Sequence, residues 1–220
     1  MRASHVLCKV EDLATAVEAY RAAGFVVQWG SDPEISINAL IWFERGPFLE
    51  LIDAAGARPP VPVPWIERFD RWRDQPPGWC DVCLETDSNA DPETEAARAA
   101  GIEVAGPFEN QRTPPDGVTI TTRTSFPNDA RLPFFMGAYR PEPRPTSIEH
   151  PNGAVAVESI DVGIEPGAMG HWSQLVDADD PWLTVRHDES GVRSVTLRGL
   201  AETIPPAAVS GAVLLRAEDG

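Results

Sequence analysis

Glu50 stands in the middle of an apolar run, Pro47-Phe48-Leu49-Glu50-Leu51-Ile52. An ionised carboxyl there is costly to desolvate unless something pairs with it. It is either held for proton transfer or ligation, or it lies at the rim of the fold, solvated or salt-bridged to an arginine. In Ser4-His5-Val6-Leu7-Cys8-Lys9-Val10, period-two alternation sets Val6, Cys8 and Val10 on one face and sends His5 to the other. Trp79-Cys80-Asp81-Val82-Cys83 contains a Cys-x-x-Cys pair inside a predicted strand. Residues three apart in a strand face opposite ways and do not readily bridge, which opposes a redox role. The same parity places Asp81 and Cys83 opposite Val82 and Leu84. Trp29, Trp42, Phe48 and Phe134 can wall a small-molecule pocket or simply pack the core. His150, His171 and His187 have no second ligand at a recognisable spacing and read as structural or solvated. With no GxGxxG, P-loop or GxSxG run, nucleotide binding and triad hydrolysis have no positive support.

The elements that must carry these residues repeat. Ser4–Val10 reads as a strand, and Asp12 caps a helix whose apolar positions Leu13, Ala16, Val17, Tyr20 and Ala23 recur at helical spacing. Gly24 ends it, and the runs 25–30, 38–44 and 47–54 follow as three strands, completing βαβββ. A second copy starts at Trp79, takes Asp91 as cap with Pro92 at the first helical position, and continues through strands in 118–126 and 132–139. Arg21-Ala22-Ala23-Gly24 in the first copy corresponds to Arg98-Ala99-Ala100-Gly101 in the second, and Pro47-Phe48-Leu49-Glu50 to Pro133-Phe134-Phe135-Met136. A duplication of both order and content is stronger evidence than any single motif. Between the copies, residues 54–64 are too proline-rich for regular structure, and Trp65, Ile66, Phe69 and Trp72 share one face of a short helix. That helix either packs over the sheet or acts as a lid. After a linker at 140–153, a weaker βαβββ echo without the Arg-Ala-Ala-Gly signature runs to the end. The expected division is therefore a paired domain over 1–142, with modules at 1–54 and 78–140, and a C-terminal partial module over 143–220. That last module would complete the sheet or pair with another chain, since a lone module exposes edges; a homodimer is one way of covering them.

The chain has 220 residues, 18 Lys and Arg against 34 Asp and Glu, and a formal net charge of -16. Such acidity argues against nucleic acid and against anionic membrane surfaces. The N-terminal run lacks a secretory pattern, no stretch approaches a membrane span, and three cysteines fit a reducing compartment, so a cytoplasmic location is expected.

Two tandem βαβββ units, with a His in the first strand and a Glu in the fourth, resemble the vicinal oxygen chelate superfamily. The runs Asn38–Ile52, Leu132–Tyr139 and His150–Gly153 are similar to its glyoxalase-like domain proteins, in the group that also includes bleomycin resistance proteins and dioxygenases. The resemblance implies an α+β fold of paired modules curled into a partly open barrel, with a divalent metal on the concave face. It implies His5 and Glu50 as ligands from the first module. In the second module the first-strand position falls on Cys80 or Asp81, strand parity favouring Asp81, and the fourth-strand position falls on Met136, a poor ligand for hard or borderline metals. His5, Glu50 and Asp81 would leave an open-sided site for Zn, Mn, Ni or Fe, with Glu50 as the catalytic proton carrier and Trp42, Phe48, Phe134 and Met136 as substrate-binding walls. The implied activity is that of a metal-dependent lyase, isomerase or dioxygenase on a small oxygenated molecule. The alternative is a protein of the same fold that sequesters a small molecule, such as an antibiotic, without metal.

Overall fold

The computed structural model describes residues 1–55 and 63–218, with the backbone alone for 63–65. The proline-rich linker therefore lies largely outside the described residues, as does the Trp65 side chain. In chain order the elements are β1 (Arg2–Lys9), α1 (Leu13–Ala22), β2 (Gln28–Trp29), β3 (Asn38–Ile41), β4 (Phe48–Ile52), α2 (Val63–Asp74), β5 (Gly78–Glu85), α3 (Asp91–Ala99), β6 (Val104–Arg112), β7 (Ile120–Pro127) and β8 (Phe134–Met136). There follow β9 (Ala156–Ile164), α4 (Pro166–Leu175), β10 (Leu183–His187), β11 (Gly191–Arg198) and β12 (Leu214–Arg216).

The first eight strands form one sheet in the order β2-β3-β4-β1-β5-β8-β7-β6. Its two halves are the two βαβββ copies. Each pairs its first strand in parallel with its fourth, β1 with β4 and β5 with β8, and the halves meet where β1 lies antiparallel to β5. One face carries Val6, Cys8, Ile41, Leu49, Leu51, Val82 and Leu84 into the main core, against α1 and the C-terminal sheet. The other face carries Leu7, Cys83, Phe134 and Met136 and is covered at one end by Phe69 and Trp72 of α2. The sheet curls around this second face until its two edges touch, where Arg112 Nη1 at the end of β6 donates to Gly30 O just beyond β2 at 3.2 Å.

Local expectations hold in part. The Asp12 side chain accepts from Thr15 N at 2.8 Å, as a cap should. Asp91, by contrast, is already inside α3. Ala90, in the left-handed region at φ 68°, holds the cap position, and the Asp91 carboxylate instead pairs with Arg123. Of the α2 face, Phe69 and Trp72 are buried, but Ile66 is exposed and Arg68 takes an inward place.

The C-terminal echo keeps the element order but not the pairing. Its first strand β9 pairs in parallel with the second, β10, while β11 pairs with both β9 and β12. It builds a separate sheet, β10-β9-β11-β12, and does not extend the first. The two sheets nonetheless share one continuous core, to which Ile160, Val162, Trp172, Val195 and Leu197 contribute alongside Val6 and Leu49. Among the described residues no helix is long and apolar enough to cross a membrane.

Candidate functional site on the concave face

The concave face is assembled by strand parity corrected by two bulges. Ala3 faces Leu84 and His5 faces Cys83, so Ser4 is an extra residue on β1. Leu7 faces Asp81 and Cys8 faces Trp79, so Cys80 is an extra residue on β5. The first bulge turns His5 inward although Ala3, two residues earlier, points into the main core. The second sets Asp81 opposite Leu7 and leaves Cys80 without a partner on β1.

His5 and Glu50 meet. The imidazole Nε2 lies 3.1 Å from Glu50 Oε2, and its Nδ1 lies 3.1 Å from the Ser4 hydroxyl. Asn38 Nδ2 donates to the other carboxylate oxygen, Oε1, at 2.8 Å. The His5 ring is sandwiched, stacked on Phe48 with centroids 4.5 Å apart and met edge-on by Phe134 at 5.8 Å. Burial by itself pushes the Glu50 carboxyl up, but the hydrogen bond and charge of His5, then Asn38 and the charge of Arg112, together hold it below the ordinary value of 4.5. The carboxylate set in the apolar run is therefore kept ionised by named partners.

Asp81 also faces this side but is engaged elsewhere. Arg68 grips it with two hydrogen bonds, Nε to Oδ2 at 2.7 Å and Nη2 to Oδ1 at 2.9 Å, and Trp72 Nε1 donates to Oδ2 at 2.8 Å. Arg68 also donates to Leu132 O and lies over the Phe134 ring. The structure does not bring Asp81 to the His5–Glu50 pair. The counterpart of His5 in the second half is Cys83, since His5 pairs with Phe48 of β4 as Cys83 pairs with Phe134 of β8. Burial pushes the Cys83 thiol well up, and its Sγ donates to Leu84 O, so it stays protonated. Met136, the counterpart of Glu50, is buried with its sulfur 3.9 Å from the Ser4 hydroxyl.

The fit to a divalent cation fails on the donors. The positions facing one another are an imidazole and a carboxylate already bonded together, a protonated thiol and a thioether, and among the described residues no group of three or more His, Cys, Asp or Glu is placed to hold a metal ion. At the mouth of the curl lies a cavity of about 290 Å³, lined by Trp42, Phe48, Tyr139 and Trp182 with Arg2 and Arg144 among the polar groups. Trp42 and Phe48 thus line this cavity, whereas Phe134 and Met136 are not among its lining residues. Sequence reasoning missed Asn38, which shares the inward parity of Leu40 and was legible by that rule. It also missed Arg68 and Arg112, which no local pattern indicates.

Paired βαβββ halves curled about a His–Glu pair define a protein of the vicinal oxygen chelate type. Residues 4–176 match the model of the glyoxalase-like domain family, and the chain belongs to that family. Among solved structures, a hypothetical protein from Staphylococcus aureus is similar over 98% of both chains, with 11% identity and a TM-score of 0.67. The Mn(II)-bound glyoxalase from Novosphingobium aromaticivorans is similar over 90% of this chain and 65% of its own, with 13% identity and a TM-score of 0.55. A fusion of a xylose isomerase-like TIM barrel with a 4-hydroxyphenylpyruvate dioxygenase is similar over 90% of this chain and 36% of its own, with 9% identity and a TM-score of 0.51. No curated protein matches the sequence.

Proposed function

We propose that this chain binds a small oxygenated organic molecule against the concave face and that the His5–Glu50 pair moves a proton on it, without a resident metal. The observation that carries the reading is the buried 3.1 Å contact between His5 Nε2 and Glu50 Oε2, with the second carboxylate oxygen fixed by Asn38. A carboxylate positioned by two donors, one of them an imidazole held between Phe48 and Phe134, is suited to accept a proton from a carbon next to a carbonyl. The C–H bond breaks, its proton goes to Glu50, and the electron pair moves to the carbonyl oxygen. Return of the proton to the same or a neighbouring carbon gives an isomerase-type outcome, and loss of a β-substituent a lyase-type one. The dioxygenase and metal-dependent readings need a third donor, and the only other concave carboxylate singled out by the sequence, Asp81, would first have to leave Arg68 and Trp72.

The test follows exchange of solvent deuterium into a panel of small ketones and 2-oxoacids by proton NMR, using protein stripped with chelator. Exchange by the stripped wild type and its loss in Glu50→Gln are expected. Exchange that persists unchanged in Glu50→Gln would sink the proposal. In parallel, elemental analysis and thermal shifts with Mn, Ni, Zn and Fe are expected to give no stabilisation, where a tight site would add a few kcal/mol at saturating metal, on the order of 3. A second reading, sequestration without chemistry, is favoured by the aromatic cavity and by Met136 at the place of a second carboxylate. Unchanged ligand affinity in a His5→Ala, Glu50→Ala double variant would support it.

A further inference from the structure

Tyr139 stands just past the end of β8, and it lines the mouth cavity together with Trp42 and Phe48. Trp42 meets its ring edge-on with centroids 6.4 Å apart and in turn lies 4.1 Å from Phe48, which is stacked on His5. Arg112, anchored to Gly30 O, holds its guanidinium carbon 5.9 Å over the same ring. The ring is thus fixed on two sides, but its hydroxyl is not. Among the described residues that hydroxyl makes no hydrogen bond, and it is not one of the two unpartnered polar atoms shut away from solvent, Arg112 Nη2 and Trp172 Nε1. The other tyrosine, Tyr20, is fully buried and spends its hydroxyl on Val209 O at 3.2 Å. A tyrosine set among apolar side chains ordinarily finds such a partner, so a free hydroxyl on a cavity wall is a donor left for a ligand. Burial pushes the Tyr139 phenol well above its ordinary value of 10, the nearby charge of Glu50 adds to this and Arg112 opposes it, so the O–H stays protonated. Other donors of the concave face are spent, His5 and Asn38 on Glu50 and Arg68 on Asp81 and Leu132 O. The lining charges of the cavity balance, Arg2, Arg45 and Arg144 against Glu44, Glu85 and Glu142, so there is no net charge to draw an ion.

We propose that the Tyr139 hydroxyl donates a hydrogen bond to the carbonyl oxygen of a neutral ligand held in the mouth cavity. This rests on the reading that the protein binds a small oxygenated organic molecule on this side of the sheet. The fitting ligand is a small ketone or aldehyde whose apolar body lies against Trp42 and Phe48. In the enolisation described above the electron pair moves to that same oxygen, and a donor already aimed at it stabilises the charge as it grows. The Tyr139 O–H bond stays intact throughout, and the only proton that moves is the one carried by Glu50.

Acetophenone and α-methylstyrene share one shape and differ only in C=O against C=CH2, so together they separate the hydrogen bond from the apolar fit. Each is titrated into the full-length wild type and Tyr139→Phe, followed by amide proton–nitrogen NMR. Tyr139→Phe is expected to weaken acetophenone about three- to tenfold, the worth of one neutral hydrogen bond, and to leave α-methylstyrene unchanged. The carbonyl stretch of bound acetophenone, read by infrared difference spectra, is expected at lower frequency in the wild type than in the variant. Equal weakening of both probes would make Tyr139 a packing residue and overturn the inference. Unchanged acetophenone binding, no binding of either probe, or benzoate bound more tightly than acetophenone would overturn it too. If Tyr139→Phe unfolds, protein carrying 3-fluorotyrosine takes its place, since fluorine makes the phenol a stronger donor. Tighter acetophenone with unchanged α-methylstyrene then supports the inference, and unchanged acetophenone overturns it. Acetophenone binding that depends on Tyr139, found together with deuterium exchange that persists in Glu50→Gln, would keep the carbonyl site and remove the proton-transfer reading. Exchange lost in Glu50→Gln, with acetophenone indifferent to Tyr139→Phe, would do the reverse.

Discussion

At the scale of single residues, the concave face holds two carboxylates with different duties. Glu50 is shared between His5 and Asn38 and reaches solvent, while Asp81 is buried under Arg68 and Trp72. Removing one member of a buried, hydrogen-bonded pair strands the other charge. Asp81→Asn or Arg68→Met is therefore expected to lose about 3–5 kcal/mol in urea unfolding. The apolar double variant Arg68→Met, Asp81→Leu should recover part of that loss. His150 gives a pH signature. Its Nδ1 accepts from Val26 N at 3.0 Å, so the ring is neutral with Nε2–H donating to Trp42 O at 3.0 Å. Burial lowers its pKa below the ordinary 6.5, with the Trp42 bond opposing. The unfolded chain takes up the proton first, so the contribution is full above pH 6.5 and is lost as pH falls below it. His150→Gln should flatten that part of the stability curve.

At the scale of elements, the duplicated Arg-Ala-Ala-Gly ending does unequal work in its two copies. Gly24 and Gly101 both end their helices with positive φ, 82° and 84°. A Cβ on Gly24 would meet Asn152 Cβ at 2.8 Å, because Asn152 in the linker docks there and donates through Nδ2 to Ala23 O, whereas a Cβ on Gly101 meets nothing within 4 Å. Alanine at either position costs about 1–2 kcal/mol for the left-handed backbone. Gly24→Ala is expected to cost more than Gly101→Ala in thermal melts, the excess being the displaced linker. Helix ends and strand parity were readable in the sequence, since both depend on neighbours in the chain. The roles of Arg68 and Arg112 were not, because their partners lie 13 and 82 residues away.

At the scale of the whole molecule, the C-terminal third is sewn into the rest. The Tyr20 hydroxyl donates to Val209 O at 3.2 Å, Trp79 Nε1 to Val213 O at 3.1 Å, and Ala3 N to Asp180 Oδ2 at 2.7 Å. The apolar outer face of the first sheet, with α1, rests on β9, β11 and α4 in one core. A chain ending at Tyr139 would expose that face to water and is expected to melt without cooperativity and to aggregate, as read by circular dichroism and size exclusion. A cooperative, monomeric product would show that the two regions fold independently.

The sequence by itself determined the duplication and the inward direction of His5 and Glu50, because strand periodicity is local and a carboxylate in an apolar run is conspicuous wherever it lies. It also made the asymmetry visible, with Met136 standing where the second half would carry a carboxylate. Only the tertiary structure decided that Cys83 is the counterpart of His5, that a helix from the linker claims Asp81, and that the third βαβββ echo pairs differently. Those outcomes turn on one-residue bulges at Ser4 and Cys80 and on side chains arriving from distant segments. Register and long-range ion pairs are chosen by the packed whole, and no periodicity in the chain encodes them.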